Sequence, residues 1–324
     1  LILRTIEAYL DVVKAQRDVR LHADNLARLE SHVKAAEARV RAGASTPTRV
    51  AESKARYSRA QSDAIAASAT LQNAKDMLHS LTGLELQDLK LPNALSSFPA
   101  SLIEAETIAR AEHPNIRKAI ANEMSASQQF NALAATVKPT VNLSLSASSK
   151  YMTGTAGDLD VMSAQIVFSS PFLSTNATRA KSRSVSASHA QSKFVRDEAI
   201  RAVEVALRSA FRNMNTAQKR LDAVKSELNA SMLVARGIVN EVTFGQKTIL
   251  DQLDAEQDVN AAELRLVSAE HDVIIASYRL QAAMGRLLAV NLGLGDVLPA
   301  LAELPAPVSI FDGIIPIRNK EYGQ

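Results

Sequence analysis

Gly43-Ala44-Ser45-Thr46-Pro47-Thr48-Arg49-Val50 and Gly245-Gln246-Lys247-Thr248-Ile249-Leu250-Asp251-Gln252 occupy equivalent places in two copies of one pattern. Gly43 and Gly245 stand 202 positions apart (245 less 43), and so do Gly83 and Gly285. The same gapless offset pairs Tyr9 with Phe211, Ala15 with Ala217, Arg17 with Lys219, Thr46 with Thr248, Ala60 with Ala262, Ala74 with Ala276 and Leu78 with Leu280. A register kept over about 80 residues marks an internal repeat, and the repeat decides the fold before any single element does.

Each copy is a long helical hairpin. Val12, Val19, Leu26, Val33 and Val40 recur every seventh residue, and Met214, Leu221, Leu228, Ala235 and Val242 are their offset partners. Gly43 then breaks the first helix, Thr46 is a natural N-cap, and Pro47 suits the first helical position because its missing N–H is not needed there. The return helix carries Val50, Tyr57, Ala64, Leu71 and Leu78 with a second row of Ala60, Ala67, Ala74 and Leu81. Its counterpart carries Val259, Leu266, Val273 and Leu280 with Ala262, Ala269, Ala276 and Ala283. Sustained sevens predict left-handed supercoiling, and the alanine rows let helices approach closely. These stripes are packing surfaces.

Between the copies the pattern changes. Residues 84–101 form a linker with Pro92 and Pro99. A helix is expected from Leu102 to about Val137, interrupted at Pro114 and stopped by Pro139. Apolar and polar residues then alternate in Val141-Asn142-Leu143-Ser144-Leu145-Ser146-Ala147-Ser148, and again over Met162 to Ser169 with Val167 as the exception. Two strands of about ten residues, apolar on one face and Ser, Asn and Gln on the other, fit membrane-barrel strands. They equally fit a soluble half-buried hairpin. Pro171 is expected to open the longest helix, to about Val242, roughly 105 Å at 1.5 Å per residue. Its return helix is expected to reach about Leu288.

Composition agrees with thin helical layers. The 324 residues contain no Trp and no Cys, and aromatics make up 4%. A thick globular core is excluded, as are disulfides, thiolate metal sites and a cysteine nucleophile. The net charge of +3 is too small, and the basic residues too scattered, to imply nucleic acid. No apolar run is long enough for a transmembrane helix. The chain opens at Leu1 directly in helical pattern, which reads as a truncated start. Projected backward, the repeat expects roughly 100 residues before residue 1.

Taken together, the chain resembles the TolC family of outer-membrane efflux and secretion ducts. The carriers are the Gly43–Val50 turn, the segment from Gly245 through Asp251 and Asp254 to Glu256, the endings Leu81-Thr82-Gly83 and Ala283-Met284-Gly285, and His113-Pro114-Asn115-Ile116. The resemblance implies a mostly helical fold with a β-hairpin: long antiparallel coiled-coil helices forming a periplasmic α-barrel, outer-membrane β-barrel strands, two internal repeats and a homotrimer. In this frame 1–83 is the first-repeat hairpin, 84–101 an equatorial linker, 102–138 a helix of the second repeat, 139–170 the transmembrane hairpin, 171–288 the second-repeat helical hairpin and 289–324 an equatorial tail. The implied partners are outer-membrane lipid, a periplasmic adaptor, and an inner-membrane transporter of the RND or ABC type. The implied task is export of drugs or proteins, without catalysis and without a cofactor. A soluble coiled-coil scaffold is the alternative; it explains the sevens but not the strands.

The resemblance also assigns residues. Gly43, Thr46, Gly245 and Thr248 belong to the helical tips that dock the adaptor. Asp251 and Asp254 match acidic positions that ring the periplasmic entrance, where three copies would present a candidate cation ring. Two ordinary surface acids near a helix N-terminus are the plainer account of the same residues. The chain departs from the family pattern at Arg49, where a known member carries Asp. It departs again at Val242 and Lys247, where that member uses Tyr and Arg in the links that close the entrance. Arg49 or Lys247 is therefore expected to pair with Asp251 or Asp254. Phe172-Leu173-Ser174 replaces a Gly-Gly after the last strand. The six histidines (His22, His32, His79, His113, His189, His271) show no metal-ligand spacing and are read as surface or packing residues.

Overall fold

The computed structural model describes residues 1–84, 89–92, 99, 101–136, 138–150, 159–170 and 176–288. Six helices and two strands follow in the order α1 (Ile2–Arg41), α2 (Pro47–Thr82), α3 (Leu102–Glu112), α4 (Pro114–Thr136), β1 (Thr140–Lys150), β2 (Leu159–Ser169), α5 (Asn176–Thr243) and α6 (Ile249–Ala283). At 68 residues, α5 is about 100 Å long.

The helices lie side by side in the order α2, α1, α6, α5, and α3 and α4 continue the layer along the first half of α5. The flanking helices hide a single stripe each. On α2 the covered positions include Val50, Ser53, Tyr57, Ala60, Ala64, Ala67, Leu71, Ala74, Leu78 and Leu81, alternating steps of three and four. On α5 the same alternation runs from Val203 and Leu207 through Leu221 and Val224 to Val242. One stripe of this width is what a coiled-coil seam buries. The inner helix α6 is packed on two sides, and Val273, Ile274, Ile275, Ala276 and Ser277 are all buried in succession. The outer sides of α2 and α5 are bare, with Ile65 66% and Leu233 70% exposed.

Two joints fix the end of the layer away from the turns. Ala105, Ala109, Ile116, Val203, Leu207, Leu280 and Met284 form one core there. Tyr9 packs in a second core beside Leu78, and its hydroxyl donates to the Lys90 carbonyl at 2.8 Å, tying down the described part of the linker. Pro114 does more than interrupt a helix. His113 takes an extended backbone (ψ 123°), so α3 and α4 are separate helices, and His113 Nδ1 accepts from the Asn115 amide at 3.1 Å. Helix α6 stops at Ala283 rather than near Leu288 because Gly285 turns with φ 79° against that same corner. A Cβ on Gly285 would fall 2.6 Å from His113 Cα. Arg286 then clasps Glu112 with two bonds of 2.7 Å.

The strands pair antiparallel, with Val141 opposite Phe168, Leu143 opposite Ile166, Leu145 opposite Ala164 and Ala147 opposite Met162. This register gathers Val141, Leu143, Leu145, Met162, Ile166 and Phe168 on one face, whereas Val161 and Val167 lie on the other. The other face pairs Ser144 with Gln165 and Ser146 with Ser163, whose hydroxyls bond at 2.7 Å. Among the described residues no helix is long and apolar enough to cross a membrane. The expected helix start at Pro171, the Phe172–Ser174 segment, most of the linker and the tail from 289 lie outside the described residues.

Candidate functional site: the paired helical turns

The two turns have one construction. The Gly43 amide donates to the Val40 carbonyl and the Ala44 amide to that of Arg39; the Gly245 amide donates to the Val242 carbonyl and the Gln246 amide to that of Glu241. This is the Schellman arrangement, which needs a left-handed residue just past the helix end. Gly43 and Gly245 supply it, with φ of 70° and 74°. No atom approaches within 4 Å of a Cβ built on either, so backbone conformation and not space requires glycine there.

The restarts differ. Thr248 Oγ1 caps the Asp251 amide, and Asp251 Oδ2 accepts in return from the Thr248 amide at 2.8 Å and its hydroxyl at 2.7 Å. These bonds, with the charges of Lys247 and Arg49 nearby, hold the Asp251 carboxyl below the usual carboxylate range. Thr46 occupies the equivalent N-cap position with extended backbone, yet its side chain makes no cap bond. Arg49 stands where a reciprocal acid would be, and it lies 3.8 Å from Glu52 on its own helix.

The pairings expected at the entrance are therefore redistributed. Asp251 is engaged by Thr248, and Asp254 meets Arg56 of α2 at 2.7 Å. Arg56 Nη1 also donates to Gln257 at 3.1 Å. Sequence reasoning passed over Arg56, although its place two turns beyond Arg49 on the same helix put it on the same face. Lys247 and Arg49 instead line a cavity between the two turns, with Val242 and Thr248.

Polar links continue along the seam between α1 and α6. His32 Nε2 meets Glu256 at 2.9 Å, Arg17 meets Glu270 at 2.6 Å, His271 Nε2 meets Asp11 at 2.9 Å and Arg279 meets Glu7 at 2.7 Å. Burial pushes the Glu256 carboxyl up, but bonds from His32 and Gln252 and the charges of His32 and Arg28 outweigh it and hold the group low. Two histidines read as ordinary surface or packing residues thus join the hairpins. Their partners lie more than 200 residues away in sequence, so no local signal reveals them. Nearest the joints the same seam is apolar, built on Leu10, Ile274 and Ile275.

This architecture coincides with the comparisons. The outer membrane efflux protein family model matches residues 107–286. The chain belongs to the outer membrane efflux protein family. It is 31% identical to the outer membrane efflux protein BepC of Brucella suis biovar 1, over 90% of this chain and 64% of that protein. It is 23% identical to the alkaline protease secretion protein AprF of Pseudomonas aeruginosa, over 94% of this chain and 66% of that one. The chain thus spans slightly less than two thirds of the length of these relatives. The crystal structure of a membrane protein from Pseudomonas aeruginosa shares the fold, with TM-score 0.74 and 17% identity over 87% of this chain and 67% of the other. Family membership assigns this efflux protein to the outer membrane and to a group of transport proteins rather than enzymes.

Proposed function

We propose that this efflux-family chain forms the larger part of one protomer of a trimeric outer-membrane duct. The β1–β2 hairpin contributes strands to a β-barrel that crosses the membrane, and the helical layers of three protomers close into a periplasmic α-barrel. In this assignment 1–83 and 171–288 are the helical hairpins of two repeats, 84–101 and 289–324 gird the barrel, 102–138 leads to the strands and 139–170 is the membrane hairpin.

One observation carries the reading: the apolar face of the hairpin is bare. Leu145 is 74% exposed, Met162 87% and Ile166 73%. An uncovered apolar face with open strand edges has no stable place in water. Closure with further strands in lipid satisfies both the side chains and the unpaired backbone groups. Strands of 11 residues are long enough to span a bilayer when tilted. The bare sides of α2 and α5 supply the second argument, because a layer with two unfilled edges closes by repetition around an axis. A soluble coiled-coil scaffold gives the hairpin no role.

The turns form the periplasmic end, where an adaptor docks and an inner-membrane transporter delivers cargo. Drug efflux and protein secretion both fit. The relatives named for efflux and for protease secretion cover similar shares of the chain. Fractionation of cells making the complete gene product tests the reading. An outer-membrane band of trimer size that collapses on boiling supports it; a soluble product overturns it.

A further inference from the structure

The cavity between the two turns has a volume of about 390 Å³ and is bounded by α1, α2, both turns, the end of α5 and the start of α6. Its walls are unlike. His32, Arg39, Arg49 and Lys247 line it against one carboxylate, Glu52. His32 is engaged by Glu256, and Asp251, which lies near the charges of Lys247 and Arg49, is bonded to Thr248. Glu52 approaches Arg49 only to 3.8 Å. Among the described residues neither Arg39 nor Lys247 takes part in an ion pair. Ala36, Val242, Ile249, Leu250 and Leu253 give it an apolar wall, and the hydroxyl-bearing Ser45, Ser53 and Thr248 complete the lining.

We propose that this cavity binds an amphipathic monoanion, a carboxylate on a short alkyl chain. The carboxylate sits between Arg49 and Lys247, and the chain lies along Val242, Leu250 and Leu253. Concave sites of this size that set an apolar wall against convergent polar groups are a common form of small-ligand pocket. A charge-assisted bond to a guanidinium fixes the head group. The excess of cations selects against neutral and cationic amphiphiles of the same length. Arg49 belongs to the first hairpin and Lys247 to the second, so one bound carboxylate joins the two turns. Such a ligand favours the arrangement in which the turns are held together, because it binds only where both cations converge.

The absence of cysteine from these 324 residues provides the probe. Ser45 lines the cavity, and Ser45→Cys in the complete protein places a thiol there. Hexanoate should slow its labelling by neutral N-ethylmaleimide, whereas hexanol and hexyltrimethylammonium, at matched ionic strength, should not. Adding Arg49→Gln and Lys247→Gln should raise the hexanoate concentration for half-protection by about tenfold, the loss of a charge-assisted bond. Equal protection by hexanol, unchanged protection in the substituted protein, or no protection at all would each overturn the site. Resting conductance in planar bilayers supplies a second readout, and this one rests on the duct reading. Hexanoate should lower conductance in the parent and leave the Arg49→Gln, Lys247→Gln protein unaffected. A protein that labels as expected but conducts nothing counts against the duct and leaves the anion site standing.

Discussion

Arg56 on α2 and Asp254 on α6 meet at 2.7 Å, so an exposed ion pair ties the first helical hairpin to the second close to the turns. Asp254 is 58% exposed, and such a pair contributes about 1 kcal/mol or less. A tie of that strength is reversible. Arg56→Glu places like charges in contact and should let the turns part: in the proposed duct, resting conductance should rise while the thermal midpoint changes little. Unchanged conductance would remove Arg56 from any account of the entrance.

Arg49 and Asp251 hold the same place on α2 and α6, and only the acid completes a capping box. Arg49→Glu should build the missing box with Thr46 and stabilise the first turn of α2 by about 0.5–1 kcal/mol. Asp251→Ala should cost the first turn of α6 about 1 kcal/mol. Amide exchange in the two turns reads both effects. The Asp251 carboxyl is depressed in the folded state, so its stabilisation is complete above the ordinary aspartate range. It is lost only as pH falls through the lowered value. Protection factors at the start of α6, corrected for intrinsic exchange, should therefore be the same at pH 5 as at pH 7.

Gly285 separates the demand for a left-handed backbone from the demand for space. Gly43→Ala and Gly245→Ala meet no neighbour and should cost about 1 kcal/mol each, the conformational term alone. Gly285→Ala adds contacts of 2.6 Å to His113 Cα and 2.9 Å to Pro114 Cδ, which rigid backbone cannot yield. It should cost about 2–4 kcal/mol in total. Thermal midpoints of the three variants, ranked side by side, check this; equal losses would contradict the packing of α6 on the α3–α4 corner.

His113 makes that corner sensitive to acid. Burial lowers its pKa from the ordinary 6.5, and Nδ1 must be unprotonated to accept from Asn115. A depressed histidine contributes stability that is full above the unfolded pKa and is lost as pH falls through the folded one. The start of α4 should loosen as pH falls below the ordinary histidine value, seen as a lower protection factor at the Asn115 amide. The His113→Gln protein should show no such step.

The two faces of the hairpin should respond oppositely to charge. If the hairpin spans the membrane as proposed, Leu145→Arg or Ile166→Arg introduces a cation on its lipid-facing side and should cost about 2–4 kcal/mol near mid-membrane, reducing heat-modifiable trimers in the outer membrane. Ser144→Arg, on the polar face, should leave trimer yield unchanged. Equal effects would argue against a lipid-facing side.

Sequence alone determined the elements and their order. The glycines at 43 and 245, the Thr248 cap, the sevens on α2 and α5 and the alternation in both strands are local signals, set by backbone conformation and by the periods of helix and strand. They located the turns, and with them the neighbourhood of the candidate site. Only the tertiary structure decided who meets whom. Arg56 with Asp254, His32 with Glu256 and His271 with Asp11 join residues 198, 224 and 260 positions apart. A charged residue on an exposed helical face carries no mark of its partner, because any of several neighbours on the facing helix would serve. The end of α6 was likewise beyond the pattern, which ran on apolar to Leu288; the contact of Gly285 with His113 stops it. Periodicity fixes which face a residue occupies, whereas the docking of one hairpin on another fixes what that face touches.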